Sequence, residues 1–373
     1  MLRCLARRFL HTALALCALS MGGCSWMEKQ ALQAREEIPG VRLEQLKVPA
    51  GYKVDVLVRD VPNARQMALA DARTMFVSSN DGIVYRVDLS GSQPSRKVLD
   101  GFGGSGIAFS GGSLFVGDRA RVLRYDDMLR AGPDAKGVEI LKGLPEQKRH
   151  GARTLAIGPD GKLYVAVGSP CDTCEEKGDE HGTLLRINRD GSGREVVARG
   201  IRNTVGFDWH PTTGQLWFTD NGPDGLGPDK PDDELNRVTR AGEHFGFPYC
   251  HNGSVPDPKL AAGRACSEFT APALGLGPHT AALGLRFLKG DAAGAGRPIA
   301  LVARHGSHPP ERIGYDVLGL RIDGDRVSSE PFLTGFLQGR TYWGRPVDVI
   351  TLPDGTILVS DDLNGVIYRV SRA

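Results

Sequence analysis

Three clusters in this sequence hold side chains suited to proton transfer, anion binding or cation coordination. His150 stands in KRHGARTLAIGPDGKLYVAVGS, just before an alternating apolar run, with Arg149 and Arg153 beside it. A neutral imidazole is a suitable general base near neutral pH, although a lone histidine at a strand start is more often structural. Arg202 and Asn203, in RGIRNTVGFDWHP, precede another strand-like run. A guanidinium fork suits carboxylates or quinone oxygens and an amide both donates and accepts; the plain alternative is a surface Arg and a turn Asn. The third cluster, TDNGPDGLGPDKPDDELNRV, sets Asp220, Asn221, Asp224, Asp229, Asp232, Asp233, Glu234 and Asn236 among glycines and prolines. Hard oxygen ligands on irregular backbone are what Ca2+ uses, but the spacing is not that of an EF-hand, and simple solvation also explains an acidic loop.

The elements that must hold these residues are strands. From about residue 48 a phrase recurs: TMFVSSNDG at 74, SLFVGDRA at 113, KLYVAVGS at 162, QLWFTDNG at 215, PIALVARHG at 298 and TILVSDDLNG at 356. Several copies lead into a second strand, as in GIVYRVD, RVLRYDD, TLLRINRDG and GVIYRVS. A multi-strand repeat of this size predicts an all-β, six-bladed β-propeller, because one four-stranded sheet cannot bury both faces while a ring of them can. Ligand sites are then expected at one mouth of the central channel. The wide interval at about 221–297 reads as an insertion at that mouth.

The start, MLRCLARRFLHTALALCALSMGGC, has the basic residues and short apolar run of a secretory signal and is too short to span a bilayer. Its Met-Gly-Gly-Cys end resembles a bacterial lipobox with Cys24 as the lipidated residue; an ordinary signal with a chance cysteine is the alternative. The expected layout is a signal over 1–23, a polar tether over 24–47 and the propeller over 48–373, in an exported lipoprotein of the cell envelope facing the periplasm. Losing Arg3, Arg7 and Arg8 leaves a nearly neutral chain, which argues against a nucleic-acid partner. Membrane contact would come through the lipid. Cys171, Cys174, Cys250 and Cys266 then remain, an even number that suggests disulfides, and sequence order favours Cys171–Cys174 and Cys250–Cys266. Zinc is the weaker reading in an oxidising compartment, and no haem-attachment motif follows the CxxC pair. Trp209, Trp217 and Phe218 read as blade packing, whereas Tyr342 and Trp343, in the loop-like GRTYWGRP, read as sugar-stacking candidates.

Taken together and in this order, HGARTLAIGPDGKLYVAVGS, RGIRN and TDNGPD with DELN resemble the pyrroloquinoline-quinone-dependent sugar dehydrogenases, in particular the sorbosone dehydrogenase branch. HFGFPYC, LGLGPHTAALGLRF, FLTGF, WGRP and SDDLNGVIYRV extend the resemblance, which covers about 145–373 well and 48–144 only as a general blade pattern. It implies His150 as the base that takes the alcohol proton while hydride passes to the quinone. It implies Arg202 and Asn203 as contacts to cofactor and substrate, and the carbonyls of Gly222 and Pro223 as holders of a calcium ion that polarises the quinone. Asp232, Asp233, Glu234 and Asn236 become second-calcium or loop-bracing residues, and Arg345 a residue of the mouth. Substrate is then an aldose or a sorbosone-like carbonyl hydrate, with electrons leaving to an external acceptor.

The fifth repeat departs from the branch. Where a lysine and an arginine are usual, HGSHPPERIGYDVLGL places Asp316 and Gly319. An acid facing the channel would repel an anionic quinone; Arg312 or Arg304 could compensate, and Arg286 could reach the mouth. Two rival readings follow: a propeller lipoprotein that has lost the cofactor, and a calcium-dependent lactonase-like hydrolase that would hold its metal by side-chain carboxylates.

Overall fold

A computed structural model describes residues 37, 39–132, 134–175, 178, 180–289, 299–307 and 312–373. Cys24, the signal segment and most of the tether lie outside the described residues, as do His308 to Glu311 of the fifth repeat.

Five four-stranded sheets and one of five strands form six blades of a β-propeller. Their innermost strands are Ala64–Leu69, Gly106–Ser110, Leu155–Ile157, Phe207–Trp209, Ala282–Phe287 and Pro346–Thr351. The recurring apolar phrase of each repeat is the second strand, paired antiparallel to the first, as Leu163–Val167 is to Leu155–Ile157 across the Pro-Asp-Gly turn. The ring closes by mixing the two ends of the chain: Tyr52–Val58 is the outermost strand of the sixth blade and pairs antiparallel with Val366–Arg372. Closure ties the first and last parts of the chain into one blade, while each blade keeps a short outer edge. The chain joins the body somewhat before residue 48, since Val41, Leu43 and Leu46 pack on the core of the last blades and Lys47 bridges to Thr334.

Apolar faces meet between neighbouring blades. Trp217 and Phe218 are buried in these layers, as is the bulk of Trp209, so the sequence reading of all three as packing matches their position. Tyr342 and Trp343 correct the sequence reading. Both are buried in the core of the last blades, and the Trp343 indole donates to the Gly335 carbonyl 2.9 Å away, so neither offers a face to a sugar.

The inner edges of the six first strands line the channel and need hydrogen-bond partners. Side chains from adjacent blades supply them. The Gln66 amide donates to Leu155 O at 2.7 Å and accepts from Ile107 N at 2.9 Å, while Asp348 accepts from Met67 N and Asp208 from Phe287 N, both at 2.8 Å. Where strands come closest no side chain fits: a Cβ on Gly106 would collide with the Arg153 carbonyl.

Two bridges secure loops on the third and fourth blades, Cys171–Cys174 and Cys250–Cys266, with Cα atoms 6.1 and 5.4 Å apart. The second closes the insertion, whose Glu243–His244 segment adds in parallel to the outer strand Glu195–Arg199.

Candidate active site

In every blade the first strand starts at one mouth of the channel and the second strand ends there. Residues just before a first strand and just after a second strand therefore converge on that mouth. His150 precedes Leu155–Ile157, Arg202 and Asn203 precede Phe207–Trp209, and Asn221 and Gly222 follow Leu216–Asp220. These five, with Asp233, line a common cavity of about 730 Å3, within the usual range for a small-molecule site.

His150 is held from one side. Its Nδ1 lies 2.8 Å from the Ser169 carbonyl oxygen, which can only accept, so Nδ1 carries the proton and Nε2 is the basic nitrogen. Burial, and after it the charge of Arg202, lowers its pKa to about 4. The imidazole is accordingly neutral through the physiological range. Arg153, almost wholly buried, braces the same loop by donating to the carbonyls of Arg119, His150 and Pro145. His150 and Arg153 have φ of 53° and 55°, a left-handed conformation that is uncommon for side chains of this kind and clusters at functional sites.

Arg202 is 5% exposed yet lines the cavity. Its Nε donates to Asp172 O at 2.9 Å, Nη2 to Asp172 Oδ1 at 2.6 Å and Nη1 to Asn221 O at 3.1 Å. The backbone beneath is fixed by Asp220, whose two oxygens accept from Arg202 N at 2.9 Å and Asn203 N at 2.6 Å. The Asn203 amide reaches Asn221 Oδ1 at 3.2 Å.

Asp233 braces Gly222. One oxygen accepts from Gly222 N at 2.9 Å and the other from Thr280 Oγ1 at 2.9 Å and Ala282 N at 3.1 Å. Glu234 points elsewhere, accepting from Asn252 N and Asn236 Nδ2. Burial raises the pKa of both acids and of Asp220. Pro223 and Asp232 do not line the cavity, and among the described residues no three His, Cys, Asp or Glu side chains gather in a way that could hold a metal ion. Available to a hard cation at this wall is backbone oxygen rather than a carboxylate cage.

The cations of the other blades behave differently. Arg312 is buried and donates to Ser307 O and Tyr315 Oη, with its guanidinium over the Tyr342 ring. Arg345 forms a 2.9 Å contact with Asp362, which also binds Arg65 at 3.1 Å and His305 at 3.0 Å. Neither Arg312 nor Arg345 lines the cavity, so the expected cofactor contacts from these two are not brought to it. Arg286 is at the opposite end of the channel, with Nε on Val349 O at 3.1 Å, which corrects its expected reach to the mouth. Asp316 lies directly across the sheet from Arg304 and is gripped by both arms of its guanidinium at 2.8 and 2.6 Å. Its charge is cancelled locally.

Two residues that sequence reasoning passed over belong to the site. Asp172, inside the CxxC loop, anchors Arg202 and also meets Arg149 Nη1 at 3.3 Å. His279 lines the cavity and donates from Nε2 to Gly227 O at 2.7 Å. Its place just before the first strand Ala282–Phe287 was a readable signal, the same one that marks His150.

The geometry agrees with three comparisons. A protein of Borreliella burgdorferi described as uncharacterized is 31% identical over 367 residues, covering 90% of this chain and 92% of its own. Two solved structures share the fold across 88% of this chain and 97% of theirs. One is a calcium structure of the Trichoderma reesei family AA12 carbohydrate-active enzyme, with TM-score 0.77 and 17% identity. The other is the holo PQQ domain of pyranose dehydrogenase from Coprinopsis cinerea, with TM-score 0.72 and 19% identity. A model of the glucose/sorbosone dehydrogenase family matches residues 119–369, two thirds of the sequence, and the chain belongs to that family of sugar dehydrogenases.

Proposed function

We propose that this protein oxidises a sugar with pyrroloquinoline quinone and Ca2+, using His150 as general base. One observation carries the reading: a neutral imidazole, fixed through Nδ1 so that Nε2 is basic, shares a cavity with a buried, fully oriented guanidinium in a chain of this family. The donor set fits the group. Arg202, Arg149, Asn203 and His279 supply the cationic and polar contacts that a planar tricarboxylate needs, and the one acid that would oppose it from the fifth blade, Asp316, is neutralised by Arg304. The Gly222 carbonyl, on the cavity wall, would be a ligand of the calcium ion, with Asp233 keeping that residue in place.

Bound here, the quinone would supply the acceptor for the hydride of the sugar carbon, and the calcium ion would make it more electrophilic. His150 Nε2 accepts the hydroxyl proton as that carbon is oxidised. Arg202 would stabilise negative charge on the reduced group, and its buried setting would make this interaction stronger than in water. The substrate is an aldose or a related carbonyl hydrate, and an external acceptor reoxidises the protein. Export with lipid attachment at Cys24 completes the reading.

Dye reduction by the purified soluble domain tests it, with a sugar panel, with and without the quinone and Ca2+. Turnover that requires all three components and is lost in His150→Ala supports the proposal. Turnover without quinone, or none with any sugar at saturating quinone, contradicts it.

A further inference from the structure

We infer that the four-residue loop closed by Cys171–Cys174 is the positioning element of the site, and that Asp172 is the residue through which it acts on Arg202. The inference rests on the reading of Arg202 and His150 given above. Both functional side chains are tied to residues 168–172, the stretch that leads into and enters this loop, although they come from different loops. On the His150 side, the Ser169 carbonyl takes the Nδ1 proton, and Gly168 leaves the room, since a Cβ there would stand 2.5 Å from the His150 Cβ. On the Arg202 side, Ser169 N donates to Arg202 O at 2.8 Å, and Asp172 grips the guanidinium with both its backbone and its side-chain oxygen.

The loop itself is knotted together. Ser169 Oγ meets Cys171 N and Cys171 O at 3.3 Å, and the bridge fixes the turn that carries Asp172. Asp172 also takes Asp224 N at 3.4 Å, which links it to the turn that follows Gly222 and Pro223. A guanidinium offers a planar fork that is useful only in one orientation, and an open Cys-Asp-Thr-Cys segment would have many conformations in which the two Asp172 oxygens no longer face it. The bridge selects the one in which they do. Asp172 touches no reacting atom and is a positioning residue.

Charge and positioning make opposite predictions here. Asp172→Ala removes a negative charge beside an anionic ligand, so an attenuating role predicts tighter quinone binding and unchanged turnover. Positioning predicts a kcat lower by about 10–100-fold, as a displaced catalytic group costs, with little change in the sugar KM. Asp172→Asn, which keeps both acceptor oxygens, restores most of the loss. The Cys171→Ser/Cys174→Ser double variant behaves like Asp172→Ala.

A second readout needs no quinone. The His150 Nδ1–H gives an imidazole proton resonance, identified by its loss in His150→Asn, and its protection from exchange is expected to fall at least about tenfold when the bridge is removed, as the hydrogen bond to Ser169 loosens. Unchanged protection together with unchanged kcat in both the Asp172→Ala and double-cysteine variants overturns the inference while leaving the proposed activity standing. Lost protection in a protein that neither binds quinone nor oxidises sugar would leave the loop's role in place and remove the activity.

Discussion

The two sides of the channel mouth use their cations in opposite ways. On the third and fourth blades, Arg202 is anchored at its back by Asp172 and Asn221 and still lines the cavity, and half-exposed Arg149 stands next to it. On the fifth, sixth and first blades, Arg304 is consumed by Asp316, Arg65 and Arg345 converge on Asp362, and Arg312 is turned into the core. One side keeps its paired guanidiniums on the cavity wall, and the other turns them away from it. An anionic cofactor would thus be held mainly from the third and fourth blades, and the departures from the family pattern fall on the side that contributes least.

The largest expected effect comes from removing the base. His150→Ala should lower kcat by about 10²–10⁴-fold, the usual worth of general base catalysis, with the unfolding midpoint little changed; steady-state dye reduction and thermal unfolding measure both. In the parent protein kcat/KM should stay level from neutral pH downward and fall as pH drops through about 4, because only the neutral imidazole accepts a proton. Arg202→Met should move this acid limb upward, since one of the two main causes of the lowered pKa is lost while burial remains.

The next effect separates the two sides by stability. Asp362 is 8% exposed and its pKa is lowered against the cost of burial by His305, Arg65 and Arg345. A carboxylate whose folded pKa lies below its unfolded value stabilises the protein above that unfolded value, near pH 4, and the contribution is lost as pH falls toward the folded pKa. Asp362→Asn should therefore cost about 3–5 kcal/mol at pH 7, as for a broken buried charge cluster. In denaturant titrations the difference from the parent protein should shrink below pH 4, while kcat changes far less than in His150→Ala. Arg286→Ala, at the far end of the channel, should be the mildest. A loss of about 1 kcal/mol in stability is expected for its hydrogen bond to Val349 O, with kcat within about twofold of the parent value.

The blades were legible because each repeat writes strand, turn and strand in a fixed order, and the mouth followed because His150, Arg202 and Asn203 sit just before first strands. What escaped was mostly depth and pairing. Arg286 is the fifth residue of Ala282–Phe287, so at about 3.3 Å per residue it lies some 13 Å along the channel from the mouth. Asp316 looked like an unpaired acid because its partner is a cross-strand neighbour, visible only once Arg304 and Asp316 are placed in register. Tyr342 and Trp343 read as loop residues, and a loop folded over a core buries its aromatics as a strand does. Asp172 was hidden by the cysteines around it: a CxxC pair reads as a staple, and nothing in the order of residues says that the staple holds an arginine thirty positions away.

The most direct test is a titration of pyrroloquinoline quinone into the purified, quinone-free protein with Ca2+ present, comparing the parent protein with Arg202→Lys and Arg345→Lys. Saturable binding that weakens by about tenfold or more in Arg202→Lys, where the fork is lost, and by much less in Arg345→Lys is the expected result. Equal losses in the two variants, or a larger loss in Arg345→Lys, would contradict the asymmetry of the mouth, and an absence of binding by the parent protein would contradict the quinone site itself.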